Sequence, residues 1–212
     1  MEIAEGVHLL GATKGSYVFL VRTSEPVLID TGFRGRADRI LAEIAAIGMR
    51  PRDIAHITLT HHDVDHVGNA HALADATGAR VWASSEDGPF IRGDVRPTGL
   101  RGLMRGVVPV VPTSVDQFYE IGGSVGGLEV LATPGHTLGH VSLRYGDILF
   151  AGDLVTSRGG RLAPSPRVLT ADRAALRRSL REVGKLPFRL VCPAHGEPIA
   201  RGSLWEALVG RA

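Results

Sequence analysis

Cysteine is almost absent from this chain: Cys192 stands alone among 212 residues. A single thiol cannot close an internal disulfide, so no cysteine framework is expected to staple the fold. Lysine is nearly absent too. Lys14 and Lys185 are the only two among 24 basic residues, and the rest are arginine. Aromatic residues make up 5% of the chain, and like charges do not gather into long blocks. Without basic runs interleaved with rings that could stack bases, nucleic acid is not an expected partner. No apolar run reaches the ~20 residues of a membrane helix, so no membrane partner is expected either. The opening "MEIAEGVHLL" has no basic segment ahead of an apolar stretch and does not read as a signal peptide, which makes the cytoplasm the expected compartment.

What is present is a globular composition, with 44% hydrophobic and 22% charged residues and a formal net charge of +2. The length suits one large domain or two small ones with a substantial core. We expect a single domain over residues 1–212. "VHLLGA", "SYVFLVR" and "PVLID" are rich in β-formers and bounded by Gly, Ser and Pro. Residues 36–47 repeat apolar side chains at helical spacing, and Gly48 follows as a stop. A buried strand is expected at 54–60, a helix at 65–78 and a strand in "ARVWAS". Residues 84–120 interrupt the pattern with prolines, glycines and Arg92, Arg96, Arg101 and Arg105, which suggests an insertion or lid holding a short amphipathic helix, "GLRGLMRGVV". Strands return in "LEVLAT", "HVSLRY", "DILFAGD" and "FRLVCPAH". Helices are expected in "TADRAALRRSLREVG", with Thr170 as its N-cap, and in "SLWEALVG". Strands and helices twice over, without a clean linker, fit two packed sheets with helices outside.

The polar residues that carry chemistry follow these apolar strands, where loops can aim several side chains at one point. Asp30 follows "VLI" in "DTG". His61, Asp63, Asp65 and His66 follow "AHITLT". His136 follows "LEVLA", Asp153 ends "LFAGD", and His195 follows "RLV" in "CPAHGE". No Ser-His-Asp or Cys-His arrangement competes, and Cys192 reads as a packed side chain.

Five motifs in order, "DTG" (30–32), "THHDVDHVG" (60–68), "TPGHTLGH" (133–140), "LFAGD" (149–153) and "AHGEP" (194–198), resemble the metallo-β-lactamase superfamily along nearly the whole chain. The resemblance implies an α/β (α+β) fold, a four-layer αββα sandwich with a dinuclear metal site at one edge. It also implies ligands: His61, Asp63 and His136 for one metal, Asp65, His66 and His195 for the other, and Asp153 bridging. The family's central motif is His-x-His-x-Asp-His, and here Asp63 takes the place of its second histidine. Asp63 is expected to be a ligand, with a solvated or supporting carboxylate as the alternative. A carboxylate is a hard oxygen donor, so iron or manganese becomes plausible beside the zinc most common in the family. Glu at this position marks the flavodiiron branch, whose redox chemistry does not transfer without its flavin domain.

The expected function is a metal-dependent hydrolase that uses a metal-bridged hydroxide on a small-molecule ester, lactone, thioester or amide. Asp65 is the candidate to orient the nucleophile and handle its proton. Asp30 is the candidate to order the motif loops, with a turn or helix cap as the alternative. Class B1 lactamases carry Cys where Asp153 stands. Glyoxalase II carries a C-terminal helical domain that this chain is expected to lack. Two other functions remain open: a mononuclear iron oxygenase of the persulfide dioxygenase type, and a non-catalytic metal or small-molecule binding protein. In the 84–120 segment, the arginines suit an anionic substrate or plain solvation. Leu100, Leu103, Met104, Val107 and Val108 suit an acyl pocket, a homodimer contact or core packing. His140 is expected to support the site by a hydrogen bond, and His62 to line the cavity wall.

Overall fold

A computed structural model describes residues 1–211. The chain divides into two compact units, Met1–Tyr119 with Val125–Gly127, and Glu120–Ser124 with Leu128–Ala212. The first unit is built on seven strands in sequential order: β1 (Glu2–Ala4), β2 (Val7–Leu10), β3 (Val18–Val21), β4 (Val27–Ile29), β5 (His56–Thr58), β6 (Arg80–Ala83) and β7 (Gln117–Phe118). Strands β1 to β4 pair antiparallel, and β4 to β7 pair parallel. Parallel neighbours need a crossover. Helix α1 (Ala37–Ala46) supplies it between β4 and β5, α2 (Ala70–Thr77) between β5 and β6, and α3 (Gly88–Arg92) with α4 (Gly99–Val107) between β6 and β7. Ile40 and Ile44 of α1 and Leu73 of α2 pack with Leu20, Leu28 and Ile57 of the sheet in one buried cluster. Truncating any of these to Ala would cost about 2–5 kcal/mol.

The second unit carries β9 (Leu128–Ala132), β10 (Val141–Tyr145), β11 (Ile148–Gly152), β14 (Leu190–Pro193) and β15 (Ile199–Ala200), with Ser124 of the two-residue β8 (Ser124–Val125) at the sheet edge. Strands β9, β10 and β11 alternate in direction, while β11 and β14 are parallel. Between β11 and β14 lie the hairpin of β12 (Val155–Arg158) and β13 (Arg161–Pro164) and helix α5 (Arg173–Gly184), and α6 (Leu204–Val209) follows β15. Leu176, Leu180 and Val183 of α5 and Trp205 and Leu208 of α6 close over Leu149, Ala151 and Val191. The Trp205 ring is fully buried, and its Nε1–H donates to Leu180 O at 3.0 Å.

Four local expectations change. The helix expected from residue 65 begins at Ala70, because residues 65–69 are held as a loop by bonds to the "DTG" turn. The N-cap of α5 is Asp172, whose Oδ1 accepts from Ala174 N and Ala175 N, whereas Thr170 Oγ1 bonds back to Pro166 O at 2.9 Å. The 84–120 segment holds the expected helix, but it also supplies α3 and the last strand of the first sheet. The β12–β13 hairpin was not read from the sequence, although Gly159 and Gly160, both with positive φ (57° and 73°), are the signature of a two-residue turn. Among the described residues no helix is long and apolar enough to cross a membrane.

Candidate metal centre

Adjacent parallel strands end side by side, so the loops that follow them meet. In the first unit β4 and β5 are such a pair, with Ile29 opposite Thr58. Asp30 follows the first and the histidine motif follows the second. Asp30 has φ 58°, the only positive φ outside glycine among the described residues, and this left-handed backbone turns its carboxylate into the neighbouring loop. The carboxylate accepts from Thr60 N at 2.8 Å, from Thr60 Oγ1 at 2.8 Å and from His66 Nδ1 at 2.8 Å. Asp30 therefore fixes the His66 ring with its Nε2 directed away, the arrangement of a carboxylate behind a ligating histidine.

The backbone of the same loop is clamped as well. His66 O accepts from Thr31 N and Thr31 Oγ1, each at 2.7 Å, and Gly68 N donates to Gly32 O at 3.1 Å. Asn69 Nδ2 donates to Thr31 O and Phe33 O. Gly68 is required here, since a Cβ would overlap Arg34 N and Gly32 O. His61 and His66 lie ring to ring, with centroids 3.9 Å apart. His61 Nε2 stands 3.6 Å from Asp63 Oδ2, and His66 Nε2 stands 3.7 Å from Asp65 Oδ2.

The second unit repeats the device on β11 and β14, a parallel pair with Phe150 opposite Cys192. Asp153 follows the first and His195 the second, and Asp153 Oδ1 lies 3.3 Å from His195 Nε2. Strand β9 runs in the same direction as β11, so its end brings in His136, whose Nε2 lies 3.5 Å from Asp153 Oδ2. The two carboxylate oxygens of Asp153 thus face two different imidazoles. His136 Nδ1 is bonded to Ser165 Oγ at 2.6 Å. His140 accepts from Asp153 N at its Nε2 (3.0 Å), which leaves its proton on Nδ1, directed at Thr133 Oγ1 (2.8 Å). With both ring nitrogens engaged, His140 orients Asp153, as expected of a supporting residue. His195 is the most open of the seven, with its side chain 31% exposed.

These separations test whether the residues suit a metal. Distances of 3.3–3.7 Å between imidazole nitrogen and carboxylate oxygen are long for hydrogen bonds. They match the edge of a tetrahedron whose metal–ligand bonds are about 2.1 Å, roughly 3.4 Å. The Nδ1 atoms of His61, His66 and His136 are turned to Thr60, Asp30 and Ser165, so Nε2 is the nitrogen directed at a carboxylate in each case. The His and Asp clusters could hold metal.

Three neighbours of the motif have no local sequence signal. Arg101 of α4 donates from Nε to Asp63 Oδ1 at 2.6 Å, so it is neither solvated nor reserved for substrate. Asp87, fully buried at the start of α3, accepts from His62 N and lies 3.1 Å from His62 Nδ1. The His62 ring stacks on Phe90 with centroids 4.4 Å apart, which makes it part of the wall. Leu103 (65% exposed) and Val107 (74%) face outward, so core packing is not their role. Burial pushes the Cys192 thiol up, consistent with a packed side chain rather than a nucleophile.

Two sheet-and-helix units of α/β fold carry, at their strand ends, histidines and carboxylates that could hold metal, and the family these features define is one of metallo-hydrolases. The chain matches the metallo-β-lactamase superfamily over residues 10–195 and belongs to it. It is 29% identical to the probable metallo-hydrolase YflN of Bacillus subtilis, over 93% of this chain and 86% of that protein. It is 32% identical to a hydroxyacylglutathione hydrolase of Cereibacter sphaeroides, over 85% of this chain and 62% of that one. A solved metallo-β-lactamase of Cronobacter sakazakii with a HARLDQ motif superposes with a TM-score of 0.76 at 26% identity, covering 92% of this chain and 79% of that one. The hydrolase reading, rather than the oxygenase or the non-catalytic one, is what the family and these relatives support.

Proposed function

We propose that this hydrolase uses two divalent cations to cleave an ester, lactone, thioester or amide of a small molecule. We assign His61, Asp63 and His136 to one cation and Asp65, His66 and His195 to the other, with Asp153 shared. The observation that carries this reading is the set of four imidazole–carboxylate separations of 3.3–3.7 Å, each with the ligand oxygen facing an Nε2. When bound, the cations supply a hydroxide near neutral pH and polarise the scissile carbonyl.

The chain's own groups prepare this chemistry. Asp30 keeps the His66 proton on Nδ1 and its Nε2 lone pair available. His140 holds Asp153 through its backbone N–H. Asp65 receives or returns the proton of the attacking water. Arg101 occupies Asp63 Oδ1, so Asp63 binds through Oδ2 and the guanidinium offsets the extra negative charge that a carboxylate brings in place of a histidine. That offset favours zinc over what the carboxylate charge alone would select. The likeness to a protein named hydroxyacylglutathione hydrolase supports keeping a thioester within this substrate class.

The deciding experiment is metal content by elemental mass spectrometry on protein purified without chelator, alongside hydrolysis of an ester, lactone and thioester panel. Wild type is expected to hold about two metal ions per chain and Asp63→Ala about one. Wild type with about one ion, unchanged by Asp63→Ala, would overturn the role given to Asp63.

A further inference from the structure

Helix α4 carries two arginines one turn apart, and they have different fates. Arg101 is spent on Asp63. Arg105 has a buried Nη1 without a hydrogen-bond partner among the described residues. Burial lowers the affinity of this guanidinium for its proton, and the charge of Asp63 offsets that only in part. A half-buried guanidinium whose buried nitrogen lacks an acceptor carries a cost, and an anion placed against it reduces that cost.

Space for such an anion exists. A cavity of about 370 Å³ lies on the Arg105 side of α4, lined by Arg96, Pro97, Gly102, Arg105, Val110 and Pro112 among others. None of the side chains that line it is acidic. Gly106 also lines it, and a Cβ on Gly106 would meet nothing within 4 Å. Two glycines inside a nine-residue helix weaken it. Gly102 is accounted for by its close approach to Pro97 O, but no packing accounts for Gly106. Arg105 and Pro97 also line a narrow gap beside His62 and Asp63, so the cavity and the histidine motif share these two residues as neighbours.

We propose that this cavity is the subsite for a carboxylate group on the substrate, with Arg105 as its anchor and Arg96 at its mouth. A guanidinium fork matches a carboxylate in bidentate fashion, and the flanking Val95, Val110 and Pro112 suit a short methylene chain. Four residues along a helix span about 6 Å, so the anionic end is held roughly that far from the Asp63 side of α4. The substrate is then an anionic short-chain acyl compound. This rests on the hydrolase reading above, and the test separates the two.

Calorimetric titration with glutarate measures the subsite without turnover. Mono-4-nitrophenyl glutarate against 4-nitrophenyl butyrate measures it during turnover. Wild type should bind glutarate and prefer the anionic ester. Arg105→Gln should weaken glutarate binding at least tenfold and lower the anionic-to-neutral ratio of kcat/KM by a similar factor, and Arg105→Lys should restore part of both. Gly106→Leu, which adds bulk to the cavity lining while leaving both arginines, should do the same with metal content unchanged. If glutarate binds as expected but neither ester is cleaved, the subsite stands and the hydrolase reading falls. Glutarate binding or an ester ratio unaltered in both Arg105→Gln and Gly106→Leu would overturn the subsite. So would binding of inorganic phosphate in preference to glutarate.

Discussion

The two units hold the histidines that we assign to metal by different means. In the first, the motif loop is clamped to a second loop through its backbone: Asp30, Thr31 and Asn69 bond across to residues 60–68 or back to 31–33, and Gly68 lets the two chains touch. In the second, support runs through single side chains: Ser165 behind His136, and the Thr133–His140 pair behind Asp153. The first arrangement ties the histidines to the stability of the whole unit, because the same bonds close its loops. The second leaves the strands standing if one support is lost. Metal binding and folding should therefore be coupled in the first unit and separable in the second.

The sharpest way to break this comparison is Asp30→Ala. It leaves Thr60 N, Thr60 Oγ1 and His66 Nδ1 without their acceptor. Urea denaturation should show a loss on the order of 3–5 kcal/mol, and elemental analysis a loss of metal with it. Next comes Gly68→Ala, whose Cβ has no room. About 1–3 kcal/mol of stability should go, again with metal. His140→Ala probes the second unit by removing the acceptor of Asp153 N. Metal affinity should fall about 10–100-fold while the unfolding midpoint of the metal-free protein moves far less than in Asp30→Ala. A metal-free midpoint that dropped as far would erase the distinction between the units.

Acid titration sharpens the contrast at smaller amplitude. Burial lowers the pKa of His8 and His56, on β2 and β5 of the first unit, below the ordinary value of 6.5. Both are neutral in the fold, so their contribution is complete above pH 6.5. It is lost as pH falls below 6.5, where the unfolded chain takes up protons first. The urea midpoint should fall as pH drops below 6.5. It should fall less in His56→Gln, which still offers an acceptor to Trp82 Nε1. In the second unit, the α5 N-cap Asp172 is held below its ordinary 3.8 by the N–H groups of Ala175 and Ala174. Its contribution is present above pH 3.8 and is lost as pH falls through the lowered value. Asp172→Ala should give the smallest effect of the set, a slight drop in Tm at neutral pH that vanishes in strong acid.

Much of this molecule follows from local pattern. The short apolar runs of β2, β3, β4 and β9 to β11, the helical spacing of α1 and α5 and the glycine after α2 are visible in sequence, because period and punctuation are properties of neighbouring residues. So is the placing of Asp30, His61, His66, His136, Asp153 and His195 directly after apolar strands, since parallel strands that end together bring their following loops together. Helix α2 shows where pattern misleads. Residues 65–69 carry the helical period, but Thr31, Gly32 and Phe33 take their hydrogen bonds, and no local signal marks that competition.

The partners of the motif were decided by tertiary structure alone. Arg101 reaches Asp63 across 38 positions, and Asp87 reaches His62 across 25. Arg105, four residues from Arg101 and identical to it in sequence character, was left beside an open cavity. A charge finds its counter-ion through the packing of distant segments, and burial then sets how much that pairing matters. The sequence by itself determined the family, its histidine and carboxylate motifs and the strands that carry them. The packing of α4 against the motif loop decided which arginine pairs with Asp63 and which lines a cavity.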